Sequence, residues 1–377
     1  MVVRWKWMGL GGSLLLGGLT ALALTAPVGA AQPTFLSQLG TPSKVASTVP
    51  PNGDVNPYGV AVVSQSVGNL VAGDVLVSNF NAKSNVQGTG TTITQVAPSG
   101  TSTVFSDITA LAAGSSCPGG IGLTSALNIL PGGWVVVGSL PTSKGNLPKG
   151  DPVGCLIVLN PTGQVSETIS DPEIDGPWDM TATSSGATAT LYVSNALSGN
   201  TKIVKGVPVA GQCTVTRVDL ALSATAPPAV TSATFIGEDF PWKANKAALV
   251  LAPTSLAISP VGTLFVDNSL NNTISAIPNA PTRTTAVVAK RTVISHGGSL
   301  NAPLGMTLAL NGDLLVVNGN NGVITEVTQS GQQVAKRTLI KNGAGDLFGL
   351  ALTPTLSGIY FVDDGANTLE LASTPQT

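Results

Sequence analysis

Residues 253–277 read PTSLAISPVGTLFVDNSLNNTISAI, and this stretch decides the fold. It contains an apolar run, a Pro/Gly turn, a second apolar run that ends in an acidic and an amide residue, an Asn-rich turn and a third run. Short runs of this kind, separated by Gly, Pro and Asn, are typical of β-strands joined by tight turns. The stretch therefore predicts three strands of an antiparallel sheet.

Further copies of this pattern occur along the chain. They begin at Pro57, Gly120, Pro177, Pro303 and Leu347. A repeating sheet of about 40 to 50 residues cannot cover both of its own faces, and it must pack against neighbouring copies. The six copies therefore predict an all-β fold, a six-bladed β-propeller.

The two ends of the chain predict how the ring closes. Residues 43–49 (SKVASTV) form a short strand-like run without a partner nearby, and the last copy, residues 347–373, supplies only three strands. We expect the N-terminal strand to complete the last blade, because this pairing satisfies the open edges of both segments.

Residues 1–30 have the features of a signal peptide. Arg4 and Lys6 form a basic start, residues 9–24 are apolar, and residues 28–30 (VGA) place small side chains where a signal peptidase cleaves. The alternative is an uncleaved membrane anchor, although the apolar stretch is short for the thickness of a bilayer. We expect the mature protein to be secreted, periplasmic or located at the cell surface.

The remainder, residues 31–377, is predicted to be one NHL-like propeller domain. Its one long departure from the repeat is an insert at about residues 221–251. This insert is expected to hold the outer strand of blade three, and the rest of it is either a decorated edge or a lid over one face.

The charge of the mature chain argues against two classes of partner. Removal of residues 1–30 lowers Lys+Arg from 17 to 15 against 19 Asp+Glu, which gives a net charge of −4. Nucleic-acid binding requires a basic surface, and binding to anionic lipid requires a run of basic residues. We therefore expect no nucleic-acid partner, and no membrane contact after signal cleavage.

The cysteines predict one disulfide. Three are present, Cys117, Cys155 and Cys213, so at most one intramolecular bridge can form in an exported chain. A bridge between Cys117 and Cys155 within blade two is preferred, and Cys155 to Cys213 is the rival. The absence of a C-x-x-C spacing argues against a zinc site and against a redox pair.

The second strand of each copy closes on a polar residue. These residues are Asn79, Ser139, Asn195, Asn268, Asn318 and Asp364. We interpret them as turn residues rather than as ligands, because Asn and Asp side chains in turns bond the backbone two residues on.

The innermost strand of each copy contributes candidate ligand-binding residues. The second residues of the opening tripeptides are Tyr58, Ile121, Trp178, Thr254, Leu304 and Phe348. Such positions would meet in an apolar, aromatic funnel on the propeller axis. Asp179 and Ser255 stand where other copies have Gly, so we expect them either to contact a ligand or to cap neighbouring amides. The candidates at the funnel mouth are Tyr58, Trp178, Asp179, Ser255 and Phe348.

The copies PTSLAISPVGTLFVDNSLNNTI, PYGVAVV and DVLVSNFN resemble the repeats of NHL propellers. That resemblance implies a propeller fold and most often a binding platform. The copies are also similar to the gluconolactonase and senescence-marker family of calcium- or zinc-dependent lactone hydrolases. That family places oxygen ligands at the axial mouth, where this chain has mainly apolar and aromatic residues. The resemblance to these hydrolases is still considered because two carboxylates, Asp179 and Asp267, are available as oxygen ligands.

The sequence favours a binding function. We expect an interaction module that binds an unknown protein or a small apolar ligand at one face of the funnel, with no catalytic residue and no resident cofactor. One alternative is a metal-dependent, lactonase-like hydrolase that holds calcium or zinc partly through Asp179. A second is a structural cell-surface module. Serine-type catalysis is not expected, because the one histidine, His296, has no G-x-S-x-G motif to serve.

Overall fold

The computed structural model describes residues 33–109, 111, 117–147, 154–197, 203–204, 207–208 and 213–375. The predicted signal peptide lies outside the described residues. Thr34–Thr377 form one compact unit. In the part of the chain that is described, no helix is long and apolar enough to cross a membrane.

Six antiparallel sheets form the blades of a β-propeller, as predicted. A single strand, β1 (Ser43–Ser47), precedes the first blade. Blade one contains β2 (Val55–Val62), β3 (Val75–Asn81), β4 (Thr92–Val96) and β5 (Ser102–Asp107). Blade two contains β6 (Leu127–Leu130), β7 (Trp134–Ser139), β8 (Cys155–Leu159) and β9 (Val165–Ile169). Blade three contains β10 (Pro177–Ser185), β11 (Thr188–Asn195), β14 (Cys213–Ala221) and β15 (Ala229–Phe240), with a hairpin of β12 (Ile203–Val204) and β13 (Val207–Pro208) between its second and third strands.

The second half of the ring repeats this plan. A small hairpin of β16 (Lys243–Asn245) and β17 (Leu249–Leu251) follows blade three. Blade four contains β18 (Pro253–Ile258), β19 (Leu264–Asn268), β20 (Thr273–Ile277) and β22 (Val293–His296), and β21 (Val287–Val288) pairs with β15. Blade five contains β23 (Pro303–Leu308), β24 (Leu314–Asn318), β25 (Val323–Val327) and β26 (Gln333–Thr338). Blade six contains β27 (Leu347–Leu352), β28 (Gly358–Asp363) and β29 (Thr368–Ser373). The helical elements are short: α1 (Phe35–Gln38) and 3-10 turns at Pro131–Gly133, Ala280–Thr282 and Ala289–Arg291.

Burial follows the position of a strand in its blade. The second strand of blade four, β19, is buried at every residue, because its two faces pack against two neighbouring blades. Such strands consist of continuous apolar runs rather than alternating ones. The outermost strand of blade five, β26, alternates half-buried and exposed residues and therefore covers the core with one face only. The core itself lies between blades; for example, Val136 of blade two packs in one cluster with Leu191 of blade three.

The ring closes through the N-terminal strand, as predicted. Strand β1 pairs antiparallel with β29, and Ser43 lies opposite Leu371. The last blade therefore has the order β1-β29-β28-β27. Helix α1 is held beside blade five, because the backbone amides of Phe35 and Leu36 donate to the carboxylate of Glu326 at 2.8 and 2.9 Å. Both ends of the ring are thus fixed by hydrogen bonds.

The insert at residues 221–251 has two parts. As expected, it supplies the outer strand of blade three, which is β15. The rest is the β16–β17 hairpin, whose residues Asn245, Ala247 and Ala248 line a cavity on the propeller axis. This part of the insert therefore forms a wall of that cavity.

The disulfide joins Cys117 and Cys155, as preferred from the sequence, with Cα atoms 5.5 Å apart. The rival pairing with Cys213 is wrong, because Cys213 is a buried free thiol. The bridge ties the segment before β6 to the third strand of blade two.

Removal of this disulfide is expected to lower the free energy of unfolding by about 4 kcal/mol, since the bridge restrains a loop in the unfolded chain. The two cysteines are 38 residues apart. The test is urea denaturation of the double variant Cys117→Ala/Cys155→Ala. The matched control is Cys213→Ala, which removes an equally buried sulfur and should cost only about 1 kcal/mol. Equal losses in the two proteins would contradict the prediction.

Candidate ligand-binding site

Two cavities on the propeller axis are lined by the described residues. The innermost strands β2, β6, β10, β18, β23 and β27 contact one another around the ring and therefore line the axis. One cavity, here called the upper cavity, lies at the starts of these strands, and the lower cavity lies along their later residues. Tyr58 lines both cavities and lies between them.

An aromatic cluster of Tyr58, Phe80, Trp178 and Phe348 separates the two cavities. The Tyr58 ring lies 5.9 Å from Trp178 in an edge-to-face arrangement and 5.4 Å from Phe348, measured between ring centroids. Trp178 Nε1 donates to the Tyr58 hydroxyl at 2.8 Å, and this hydroxyl donates to the carbonyl of Leu304 at 2.8 Å. Burial raises the pKa of Tyr58 well above its ordinary value, so the hydroxyl stays protonated. The cluster is a fixed floor for the upper cavity.

The upper cavity has a volume of about 450 Å³ and is mostly apolar. Its apolar lining includes Phe80, Leu123, Leu251, Leu304 and Phe348. The β16–β17 hairpin forms one wall, and Gln87 Nε2 of blade one donates to the Ala247 carbonyl at 3.0 Å. The hairpin is thus attached to blade one, although it follows blade three in the sequence.

One side of the upper cavity is polar. Asp364 Oδ2 accepts a hydrogen bond from Asn56 Nδ2 at 2.9 Å. Asn81 Nδ2 donates to Asn56 Oδ1 at 3.1 Å and to Asn85 Oδ1 at 2.8 Å. Asp364 Oδ1 is buried and has no hydrogen-bond partner among the described residues. We call Asn56, Asn81, Asn85 and Asp364 the polar corner.

The lower cavity, of about 370 Å³, is lined by every blade and includes Asp179 and Ser255. The Ser255 hydroxyl donates to Asp179 Oδ2 at 2.7 Å, and the amide of Met180 donates to Asp179 Oδ1 at 2.8 Å. Ser255 Oγ also accepts from the amide of Met306 at 2.8 Å. Burial raises the pKa of Asp179 to about 7, although these hydrogen bonds lower it. Asp179 therefore binds neighbouring protein groups with both of its oxygens.

A second carboxyl, Asp267, lies behind Ser255. Its side chain is fully buried. Asp267 Oδ1 accepts from the Thr254 hydroxyl and from the amide of Ser255, whereas Oδ2 has no partner among the described residues. Burial raises the pKa of Asp267 to about 7, and the nearby carboxylate of Asp179 adds to the shift. The unpartnered oxygen is consistent with a carboxyl that is neutral over much of the acidic range.

The structure brings three of the five candidate residues together. Tyr58, Trp178 and Phe348 line the upper cavity, whereas Asp179 and Ser255 line the lower one. The five residues therefore do not share one mouth. Asp179 accepts from the amide of Met180 in its own strand and from the Ser255 hydroxyl, whereas Ser255 accepts from the amide of Met306 in the neighbouring strand.

The prediction that Ile121 of blade two lines the axial funnel is wrong. Ser125 takes this place, since it lines the upper cavity and donates to the carbonyl of Trp178 at 2.7 Å. Ile121 instead packs at the edge of a core cluster that contains Cys117. The tripeptide that matches the other copies, residues 120–122, lies before strand β6 (Leu127–Leu130).

Sequence reasoning missed the polar corner. The interpretation as a turn residue is correct for Asn268, whose Oδ1 accepts from the amide of Leu270 at 3.0 Å. It is wrong for Asp364, which bonds Asn56 across the ring closure. The sequence contained a signal for this difference, namely two adjacent aspartates, Asp363 and Asp364. In the structure Asp363 pairs with Leu347 as Asn318 pairs with Pro303, so Asp363 is the equivalent of Asn318. Asp364 is therefore one residue further along the turn, at a position where the other copies have no carboxylate.

The residues at the axis do not fit the metal that gluconolactonase-type propellers hold. A hard cation such as calcium requires several oxygen ligands. In the polar corner, the amide oxygens of Asn56 and Asn85 are engaged by Asn81, which leaves Asp364 Oδ1 alone. Among the described residues, no group of three or more His, Cys, Asp or Glu side chains could hold a metal. We therefore derive no step through a metal.

Comparisons with known proteins agree on the fold. A gluconolactonase from Xanthomonas campestris has a TM-score of 0.56 and 14% identity, over 90% of this chain and 91% of that chain. A second structure that carries the gluconolactonase name has a TM-score of 0.54 and 16% identity, over 92% and 97%. An aldose sugar dehydrogenase from Streptomyces coelicolor, solved with PQQ bound, has a TM-score of 0.50 and 13% identity, over 88% and 98%.

Two comparisons of the sequence itself found no match. No family model matches it, and no curated protein matches it. At these identities a structural likeness carries the fold and not the activity. The chain is a six-bladed β-propeller whose fold is distantly similar to that of the gluconolactonases.

Proposed function

We propose that this chain is an exported binding module that takes a small apolar ligand in the upper cavity. The observation that carries the proposal is a largely apolar cavity of about 450 Å³ above a rigid aromatic floor. Ligand sites are typically concave, mostly apolar and about 300 to 1,000 Å³ in volume. The disulfide supports export, because such bonds persist in oxidising compartments.

The aromatic floor of the upper cavity is already ordered in the absence of a ligand. The hydrogen bonds from Trp178 to Tyr58 and from Tyr58 to Leu304 hold the rings in one arrangement. Part of the Phe348 side chain remains accessible, so a ligand can cover it. Preorganisation of this kind lowers the entropy that binding costs. A ligand therefore gains buried apolar contact without reordering the floor.

The rival functions have less support from the geometry. A hydrolase that uses Asp179 would need a free oxygen, and both oxygens of Asp179 already accept hydrogen bonds. A purely structural module would not need a preformed cavity. The proposal requires no cofactor, nucleic acid or membrane.

Filling the upper cavity is expected to weaken ligand binding at least tenfold. Ala248 lies on the hairpin wall, and Ala248→Phe places a ring in the space of the ligand. The control, Ala182→Phe, places the same ring on the strand that lines the lower cavity; because Ala182 also packs against the core cluster of blades two and three, the folding of this variant is checked by its melting temperature. The measurement is fluorescence titration of both variants and the wild type with 2-(1-naphthyl)ethanol, a neutral apolar probe.

Two outcomes would overturn the proposal. One is a wild-type protein that binds neither this probe nor other apolar compounds of similar size. The other is a reversed pair, in which Ala182→Phe abolishes binding and Ala248→Phe leaves it unchanged. A tenfold change corresponds to about 1.4 kcal/mol of binding free energy, which such titrations resolve readily.

A further inference from the structure

The end of the propeller at which the lower cavity lies carries exposed apolar side chains that the function proposed above does not use. We call this end the lower face; it contains the turn between the first and second strand of each blade, here called the first turn. Val261 and Leu310, at the first turns of blades four and five, are 81% and 72% exposed, more than any other large apolar side chain among the described residues. Leu356, at the first turn of blade six, is 40% exposed. Val67 and Val71 extend the set to blade one.

The same kind of turn occurs elsewhere on the lower face with polar residues at its tip. In residues 259–262 (SPVG) and 309–312 (ALNG), the amide of the last glycine donates to the carbonyl of the first residue. Three outer turns have the same hydrogen bond and the same left-handed glycine, namely residues 97–100 (APSG), 160–163 (NPTG) and 328–331 (TQSG). At the positions of Val261 and Leu310, these turns carry Ser, Thr and Gln. The turn itself therefore does not require an apolar tip.

The first turn of blade six differs from the others at its last residue. In residues 353–356 (TPTL), the Leu356 amide donates to the Thr353 carbonyl, so Leu356 stands where the other turns have glycine. Its φ of 56° is left-handed, and a leucine in this conformation is strained because its Cβ atom crowds the backbone. The side chain is exposed, so little packing offsets the strain. A strained residue that contributes little to the core points to a function at the surface.

The mouth of the lower cavity continues this apolar surface. Each innermost strand contributes one partly exposed aliphatic residue near its end, and these residues are Val62, Ile129, Ala182, Ile258, Leu308 and Leu352. The six first turns contain two ionisable residues, Asp74 and Asp313, of which Asp74 is buried. The centre of the lower face is therefore nearly uncharged, with apolar tips around an apolar mouth. Exposed apolar surface of this kind marks a contact with another protein or with a membrane.

The N-terminal end of the propeller unit lies beside one of these tips. The amides of Phe35 and Leu36 in helix α1 donate to Glu326, and the side chain of Asn311, next to Leu310, donates to the same carboxylate at 2.9 Å. The chain therefore enters the ring at the lower face of blade five. The apolar residues 9–24 have the features of a segment that engages a membrane, and the chain from there to helix α1 spans at most about 35 Å when fully extended. This connection keeps the lower face close to lipid while that segment is in place.

We propose that the lower face contacts a lipid surface, in which Val261, Leu310 and Leu356 enter the interface of an uncharged membrane while the upper cavity faces away from it. The contact is apolar, so it does not need the basic run whose absence argues against binding to anionic lipid. A protein partner fits this face less well, because the cores of protein interfaces are enriched in aromatic residues and Arg, and the first turns contain neither.

The test is co-flotation of the mature protein with phosphatidylcholine vesicles, at increasing lipid concentration, to obtain a partition coefficient. The triple variant Val261→Ser/Leu310→Gln/Leu356→Gly gives each tip a residue that an equivalent turn of this chain carries, so the fold should be retained. This variant is expected to bind the vesicles at least about tenfold more weakly than the wild type. The matched control is Val104→Ser, which makes the same change at an exposed valine of the outer strand β5 and should leave binding unchanged.

The single variant Leu356→Gly separates lipid contact from folding stability. Glycine relieves the left-handed strain, so this variant should have a higher melting temperature than the wild type and yet bind the vesicles several-fold more weakly. Binding of the wild type should also be insensitive to salt, because the contact does not depend on charge.

Three outcomes would overturn the inference. The first is a wild-type protein that does not bind phosphatidylcholine vesicles, and the second is equal binding by the wild type and the triple variant. The third is a wild-type dimer in sedimentation velocity, without vesicle binding, that the triple variant abolishes; this result would assign the lower face to a second copy of the chain. None of these measurements involves a ligand of the upper cavity, so the proposed function stands or fails separately.

Discussion

Replacement of Asp267 by Asn is expected to stabilise the protein above pH 7 by about 4 kcal/mol relative to its effect at pH 4. Asp267 is fully buried, and burial raises its pKa from 3.8 to about 7. Below pH 3.8 the carboxyl is neutral in both the folded and the unfolded protein. Between pH 3.8 and 7 the unfolded chain releases this proton and the folded protein keeps it, so the stability contributed by the neutral carboxyl is lost as the pH rises. Above pH 7 the folded protein must bury a charge.

Asparagine is neutral at every pH and retains the oxygen that accepts hydrogen bonds from Thr254 and Ser255. The measurement is urea denaturation of the wild type and Asp267→Asn from pH 4 to pH 8, with the difference in unfolding free energy plotted against pH. That difference should grow in favour of the variant up to about pH 7 and then stay constant.

Asp107→Asn is a control with the opposite sign. Partial burial favours a higher pKa for Asp107, but the hydrogen bonds from Thr109 and Thr91 outweigh this effect and lower the pKa. The stability that Asp107 contributes is therefore present at neutral pH and is lost as the pH falls. Parallel pH profiles for the wild type and Asp267→Asn would contradict the prediction for Asp267.

The substitution Gly349→Ala is expected to lower the free energy of unfolding by at least about 4 kcal/mol or to prevent folding. Gly349 lies in β27, at the seam where blade six meets blade one. A Cβ atom at this position would lie 1.8 Å from the carbonyl oxygen of Tyr58. Backbone atoms cannot yield as a flexible side chain can, so the two innermost strands would have to move apart.

Separation of these strands would also disturb the aromatic floor, because Tyr58 and Phe348 lie on the two sides of the seam. The measurement is urea denaturation, with the yield of soluble protein as a second indicator. Ala351→Val, two residues along the same strand and beside the lower cavity, is the control and should change the stability by less than about 1.5 kcal/mol. A loss below about 1 kcal/mol for Gly349→Ala would show that the inner strands are less tightly packed than the structure indicates.

The sequence predicts the blades because a blade is a local structure. Each copy, such as residues 253–277, carries its own strands and turns, and antiparallel pairing joins neighbours in the sequence. Closure was also predictable, because an unpaired run at residues 43–49 and an incomplete last copy leave two open edges. The preferred disulfide, between two cysteines placed in one blade, is the one that forms, although the sequence had left Cys155 to Cys213 open as the rival.

The sequence was less informative about the axis, where each residue meets residues from other blades. The hydrogen bond between Trp178 and Tyr58 spans 120 positions. Alignment of the copies predicted that both residues face the axis, but it could not predict that they bond each other. Alignment of the copies placed Ile121 at the axis, because the pattern could not show that Ser125, four residues later, takes this position in blade two.

The sequence alone therefore determined the six blades, the closed ring and three aromatic residues that meet at the centre, and it reduced the disulfide to two pairings. Only the tertiary structure decided that these aromatic residues divide the axis into two cavities, that the β16–β17 hairpin forms a wall of one of them, and that Asp364 has an unpartnered oxygen beside it. The physical reason is that strand pairing depends on nearest neighbours along the chain, whereas a cavity depends on the distances between side chains that the ring brings together.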